Sequence, residues 1–482
     1  MASHLADILH ASSQDTTTHL QKTLTKSKSK CATSAKEEPQ IPDPKLFTSL
    51  QPSSNHPNIG QCATHLALLE AFFHLRLNIL KSSELDTVFN VQKVNKTIYK
   101  SKWRHSKRQP VKLRDPNWDE KRNIKWLLFL SIAVARFQVW AIKVNAEGIV
   151  TGTGQGMELY QLPPIDILMV WHAFLLNPLS FKKYCKDLQL VKLRRVLFPW
   201  PRIHKAINPR LSTFNYDLPI GASTWFRTTL NLKPDLFDTL KKASKLPVDS
   251  PLAKSLSNLA FCATQTTIEP TSPDSAPAIE SLTIAEMAST PLFDSNLSLL
   301  TLLRTIPDFS SPSPLVSNVQ RQSLFVDKMH RQLWIRSPSA HGTLSRAIDR
   351  YERFIKLFSL YPKTMLVPTL DIDLVWHTHQ LSAEQYETYM RERTGRYINH
   401  DDTIQKNTLG NGMDRTANIW RVEFGEDYEG CRCWDCEVLK DELERDEEDV
   451  EKLVERVKST VEYYRVVEIA RRKGWEFLPL RE

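Results

Sequence analysis

The sequence predicts a mainly α protein, a two-copy helical repeat domain with a long C-terminal helix, and three observations carry that prediction. Residues 162–184 read LPPIDILMVWHAFLLNPLSFKKY and residues 366–389 read LVPTLDIDLVWHTHQLSAEQYETY. An ungapped offset of 205 (376 − 171) superposes Asp166 on Asp371, Trp171 on Trp376 and His172 on His377, and self-similarity at a fixed offset is the mark of a repeat. Apolar residues elsewhere recur at helical rather than alternating spacing. The last stretch is a charged run in which Val450, Leu453, Val457, Val461 and Tyr464 fall on one stripe.

Residues 1–60 are polar, too poor in apolar area to offset the entropy of ordering, and are expected to form a disordered lead. The first repeat half is expected over 61–246. It opens on a helix through Leu66, Leu69, Phe72 and Leu80, then a basic stretch over 93–125, then an apolar helix from Asp119 through Trp140. A further helix is expected at 230–246. Residues 247–294 are rich in Ser, Thr and Pro and read as a linker. The second half, 295–436, replays the first with helices at 319–335 and 344–360 before its motif, and Arg353-Phe354 reads as the counterpart of Arg136-Phe137. Residues 437–482 read as one charged helix stopped by Gly474 and open to a protein partner through a coiled-coil surface.

Within each motif the spacing predicts a helix, a tight cap and a second helix. Asn177-Pro178 and the Ser-x-x-Gln run from Ser382 to Gln385 are both helix starts, Gly395 is a stop, and Asp166 and Asp371 are placed to cap the first helix of their copies.

Candidate metal ligands gather in the second copy: Asp371, Asp373, His377 and His379, with His400-Asp401-Asp402 close behind. On a helix at about 100° per residue, Asp373 and His377 are neighbours, whereas His379 points roughly 160° away from His377. The first copy carries Leu168 and Phe174 where the second has Asp373 and His379. The set common to both copies, Asp166 or Asp371, Trp171 or Trp376 and His172 or His377, therefore reads as a packed, hydrogen-bonded corner. A second candidate is Cys431, Cys433 and Cys436, whose Cys-x-Cys-x-x-Cys spacing suits three thiolates on one zinc ion without a local fourth ligand.

Lysine and arginine number 64 against 55 acidic residues, a surplus that tolerates an acidic partner without requiring one. The basic stretch 93–125 interleaves Tyr99, Trp103 and Trp118, a composition found on nucleic-acid surfaces. No P-loop, dinucleotide fingerprint or nucleophile elbow occurs, since the GTGQG run from Gly152 lacks a P-loop lysine. Seven cysteines, four scattered and three clustered, imply no disulfide framework, so a reducing compartment, cytoplasmic or nuclear, is expected, with no membrane span.

Three segments together resemble one family: PPIDILMVWHAFLLNP; LVPTLDIDLVWHTHQLS with Tyr386 and His400-Asp401-Asp402; and FGEDYEGCRCWDC. They are similar to the glycine-rich domain-containing protein-like family of plants and fungi, most of all to its fungal members. The resemblance implies a largely helical intracellular protein without a defined molecular activity, associated in plants with stress and hormone responses. It transfers no catalytic residue, and neither the glycine-rich tail nor the RNA-binding-like motif of the plant members is visible. The expected function is thus an interaction scaffold or regulatory protein. A metal-dependent enzyme or metal-binding protein using the second motif, and nucleic-acid binding through 93–125, stand as alternatives. No cofactor is predicted apart from zinc at one of the two candidate sites.

Overall fold

The computed structural model describes residues 40–50, 56–93, 96–100, 109–113, 115–147, 161–208, 214–265, 295–306, 313–444 and 449–474. It is mainly helical, with two short antiparallel hairpins as its only sheets among those residues. The chain divides into two compact units that interleave in sequence. One comprises the described residues up to Ala71, Phe198–Asp217 and the chain from Phe325 onward; the other comprises Phe72–Leu197 and Leu218–Leu324. These are not the expected continuous halves 61–246 and 295–436. The reason is visible in side chains distant in sequence: His65 Nδ1 lies 2.8 Å from Thr378 Oγ1, and the Phe198 amide donates to Ser382 Oγ at 3.2 Å.

In the unit that carries the first motif, the central helix is α3, Trp118–Glu147, preceded by α1 (Ile59–Lys81, whose last residues lie in this unit), α2 (Ser83–Val88) and the hairpin β1–β2 (Lys96–Lys100 and Gln109–Leu113). Asp119 and Glu120 in its first turn favour the positive end of the helix, and its inner positions from Leu128 to Val144 are nearly all buried. Each large apolar side chain removed from water there stabilises by roughly 1.5–3 kcal/mol. This helix is long and apolar enough by composition to cross a membrane, and most of its apolar window is buried inside the protein. It packs on α4, Ile165–Leu175, the first motif helix; α5 (Pro178–Asp187) and α6 (Val191–Arg195) follow. The helix expected at 230–246 is instead a pair, α8 (Ile220–Leu230) and α9 (Leu236–Ala243), broken where Asn231 adopts φ +52°. The expected linker 247–294 is also corrected in part. Leu252, Leu256, Ala260 and Ala263 are buried at helical spacing along α10, Pro251–Gln265, which packs against α11, Ser295–Arg304. Residues 266–294 lie outside the described set.

The unit that carries the second motif contains α7 (Trp200–Ala206), the short hairpin β3–β4 (Ile207–Asn208 and Asn215–Tyr216) and, in order, α12 (Pro314–Gln332, from Phe325), α13 (Ala340–Leu360), α14 (Leu370–Gln380), α15 (Ala383–Thr394), α16 (Lys406–Phe424), α17 (Trp434–Leu443) and α18 (Val450–Arg472). Helix α13 packs on both α14 and α15. Gly395 and Gly425, at φ +70° and +68°, end α15 and α16 in the left-handed conformation that a side chain resists.

Two expectations about the chain ends are corrected. The lead is not wholly outside the core: Ile41 and Leu46 are buried, and Ile41 packs with Tyr463 and Val467. Residues 1–39 lie outside the described set. The single C-terminal helix is two, α17 and α18, which run antiparallel and are tied by Arg465 to Asp435 and Arg456 to Glu442. The stripe expected to face a partner is used within the chain, with Leu453, Val457 and Val461 buried. A pair of helices covers that stripe at no cost in exposed apolar area, whereas one continuous helix would leave it in water.

Candidate functional site

Both motif helices begin with an aspartate in their first turn, and in both the aspartate is held by arginine rather than capping the helix. The N-cap positions are Pro164 and Thr369, neither with a side-chain cap bond. In the first motif, Arg136 of α3 donates Nε to Asp166 Oδ2 at 2.7 Å, and its Nη1 and Nη2 donate to the Lys233 and Pro234 carbonyls at 3.0 and 2.9 Å. In the second, Arg350 of α13 donates Nε to Asp371 Oδ2 at 2.8 Å and Nη2 to the Tyr428 carbonyl at 2.7 Å, while Arg432 adds Nε at 3.1 Å. The residue playing the part of Arg136 is thus Arg350, one helical turn before the expected Arg353, which pairs with Glu426 on the surface. Sequence reading picked out Arg136 as a repeat position but not as the partner of Asp166, and it missed Arg350. A signal was available, because four residues beyond each stands the aromatic that packs on the motif tryptophan: Trp140 on Trp171 at 5.3 Å, Phe354 on Trp376 at 5.7 Å.

The two carboxyls differ in charge environment. Burial raises the Asp166 carboxyl above the usual carboxylate range, Arg136 alone does not offset this, and Asp235 adds to it. Burial also works to raise Asp371, but Arg432, Arg350 and the Thr369 hydroxyl overcome it and hold that carboxyl below its ordinary value.

Trp376 donates Nε1 to the Tyr386 hydroxyl at 2.8 Å, which donates in turn to the Ile398 carbonyl at 3.0 Å. Ser382 stands at the helix start as expected, but its hydroxyl is occupied by the Phe198 amide and forms no capping box. In the first motif, His172 is buried and edge-on to Phe72 at 5.4 Å, Trp171 lies at the α3 contact, and neither belongs to a ligand cluster among the described residues.

The second motif brings together three groups that the first does not. Asp373 and His377, one turn apart on α14, meet His400 from the segment between α15 and α16. His377 Nε2 and His400 Nε2 are 3.2 Å apart, and each lies 3.3 Å from Asp373 Oδ1. Hydrogen bonding satisfies at most two sides of this triangle: the carboxylate only accepts, so each imidazole must donate to it, and two donors then face each other. Burial pushes the His377 imidazole down to about 4 despite the nearby Asp373 charge. Burial also opposes protonation of His400, but its bond to Asp373 and the charges of Asp373, Asp402 and Asp401 raise it above its ordinary value. Phe325 packs on His377 at 4.4 Å and Trp376 stands edge-on to His400 at 5.0 Å. Those aromatic contacts orient the rings, since neither Nδ1 finds a partner among the described residues.

His379 is not part of the cluster. It faces the other side of α14, bonded through Nδ1 to the Tyr351 hydroxyl at 3.0 Å and flanked by Tyr386 and Tyr389, as the helical angle requires. The three cysteines Cys431, Cys433 and Cys436 do converge, their sulfurs lying within 4.8 Å of one another. In the basic stretch, Trp118 lies beneath Arg122 at 5.3 Å and Lys93 at 5.7 Å, Tyr99 is exposed, and Trp103 and the GTGQG run lie outside the described residues.

These features define a mainly helical protein in which arginine-held motif helices carry buried polar side chains, with an acid and two imidazoles gathered in one copy. Residues 306–388 match the family described as Glycine-rich domain-containing protein-like. The chain is 34% identical over 122 residues to Glycine-rich domain-containing protein 1 of Arabidopsis thaliana, covering 24% of this chain and 14% of that protein. It is 35% identical over 126 residues to Glycine-rich domain-containing protein 2 of the same plant, covering 24% and 15%. The chain therefore matches about a seventh of the length of these curated relatives. No solved structure matches.

Proposed function

We propose that this protein binds a divalent transition-metal ion between Asp373, His377 and His400, and that the ion is a fixed part of the unit carrying the second motif. The observation that carries the reading is the triangle of ligand atoms 3.2 to 3.3 Å on a side. A tetrahedral zinc ion about 2.0 Å from each ligand spaces them about 3.3 Å apart. Octahedral coordination at about 2.1 Å draws them closer, to about 3.0 Å. The tetrahedral d¹⁰ ion is the better fit, with its fourth position left to water or another exogenous ligand. Burial keeps His377 neutral, an ion displaces the proton that the aspartates favour on His400, and one cation then satisfies all three sides at once, which the carboxylate and two imidazoles alone do not.

The reading is favoured over an interaction scaffold because the apolar stripe that suggested a partner surface is buried by the chain's own helices. The pattern of three protein ligands and one free position is shared with catalytic zinc sites, but no nucleophile is grouped with it among the described residues, so the proposal stops at binding. Elemental analysis of the full chain with Cys431, Cys433 and Cys436 replaced by serine, which leaves the triangle as the one candidate group, is expected to give one zinc per chain. Adding His377→Ala or Asp373→Asn to that background loses it. A cysteine-replaced protein that takes up no metal after dialysis against zinc, or one that retains it with His377→Ala, rules the proposal out.

A further inference from the structure

The Cys431, Cys433 and Cys436 cluster is separate from the triangle, and its argument does not depend on it. Cys433, the N-cap of α17, has extended backbone at φ −69° and ψ 164°. Residues two apart on an extended strand share a face, which sets Cys431 beside Cys433. Residues at the N-cap and three positions on meet across the first helical turn, as in a capping box, which sets Cys433 beside Cys436. The spacing Cys-x-Cys-x-x-Cys at the entry to a helix therefore converges all three sulfurs, and they lie within 4.8 Å of one another.

The surroundings decide what kind of ligand such a group accepts. The acids in the same segment are already engaged: Asp435 by Arg465, and Glu437 by Arg346 at 2.8 Å and Lys440 at 2.7 Å. The two acids that flank Cys436 are thus turned to cations rather than to the sulfurs. Cys436 is buried, Cys433 half-buried and Cys431 exposed, so the group is closed by protein on one side and reached from solvent on the other. The segment is also held in place without any ion. Trp334 donates Nε1 to the Arg432 carbonyl at 2.8 Å, Trp434 donates Nε1 to the Gln332 carbonyl at 2.9 Å, and the Arg432 side chain reaches Asp371. The three thiols are thus preorganised, which lowers the cost of binding.

We infer that Cys431, Cys433 and Cys436 form a three-thiolate site for a soft d¹⁰ cation of the zinc and copper(I) class, open on the Cys431 side to one exogenous ligand. Thiolates select such ions over magnesium and calcium. Binding deprotonates each thiol and releases its proton to solvent, with no change in oxidation state. Because Arg432 lies between two of the ligands, the bound ion fixes its backbone on both sides and with it the arginine that holds Asp371.

Cadmium(II) titrated into the reduced full chain tests this through the ultraviolet thiolate-to-cadmium charge-transfer absorption. The expected result is a band that saturates at one equivalent, persists in His377→Ala and is lost in Cys433→Ser and in Cys436→Ser. Should those variants fail to fold, the wild-type chain suffices: bound cadmium is expected to protect these three cysteines from alkylation, as mapped by mass spectrometry, and not Cys262. Absence of the band at one equivalent, its survival in Cys433→Ser, or protection that maps to other cysteines overturns the assignment.

Discussion

Replacing Arg136 by alanine is expected to lower the stability of the protein by about 3–5 kcal/mol, the cost of removing one partner from a buried ion pair, measured as a shift of the urea midpoint. Arg136 and Asp166 are each only 2% exposed in the side chain. Without the guanidinium, the carboxyl loses its cation and the Lys233 and Pro234 carbonyls lose their donor. The corresponding Arg350→Ala loses less, because Arg432 still reaches Asp371 at 3.1 Å. The pH dependence follows from the raised Asp166 carboxyl. A group whose folded value lies above its unfolded value contributes stability that is present at low pH and lost as pH rises through the folded value. Removing Arg136 takes away the main influence opposing burial, so the Arg136→Ala deficit is expected to shrink as pH falls from neutral toward 4. A deficit independent of pH, or an Arg350→Ala loss as large as that of Arg136→Ala, contradicts this account.

On the proposed metal site, stripping the ion with a chelator is expected to lower the stability of the second-motif unit by about 2.7 kcal/mol relative to protein in free metal at a hundred times the dissociation constant. Differential scanning calorimetry reads this as a lower melting temperature, restored on adding zinc. The structural reason is that the triangle joins α14 to the non-helical segment carrying His400. Without an ion, two imidazoles and a carboxylate face one another with one side of the triangle unsatisfied. In protein with Cys431, Cys433 and Cys436 replaced by serine, so that the thiol group does not respond, His377→Ala is expected to melt at the same temperature with and without chelator. A chelator effect of equal size in that variant places the metal elsewhere, and no effect on the wild-type chain argues against a stabilising ion.

Much of the helical framework was legible residue by residue. Apolar spacing placed α1, α3, α12 and α13, although α1 begins and α3 ends about two turns beyond the expected stretch, and Gly395 stops α15 where expected. Asp373 and His377 are neighbours and His379 faces away because all three lie on one helix, whose angle per residue is fixed. The misreadings share one cause. Ser382 has the sequence of a capping box, but its hydroxyl serves Phe198, nearly two hundred residues earlier. Asp166 and Asp371 stand where caps stand, yet arginines on other helices take them. The apolar residues of 251–265 are interspersed with Lys254, Ser255, Ser257 and Asn258 and lead into a Ser/Thr/Pro-rich run, so a helix was read as linker.

The sequence by itself determined the helices, their stops, the pairing of Asp373 with His377 and the cysteine spacing, because each depends on residues within a turn or two of one another. Tertiary structure alone decided which arginine holds which aspartate, that His400 completes the triangle, and that the charged C-terminal run folds back as two helices. Those outcomes depend on which surfaces pack together. A buried charge or imidazole takes whatever partner packing brings within about 3 Å of it, and the chain does not record that distance locally.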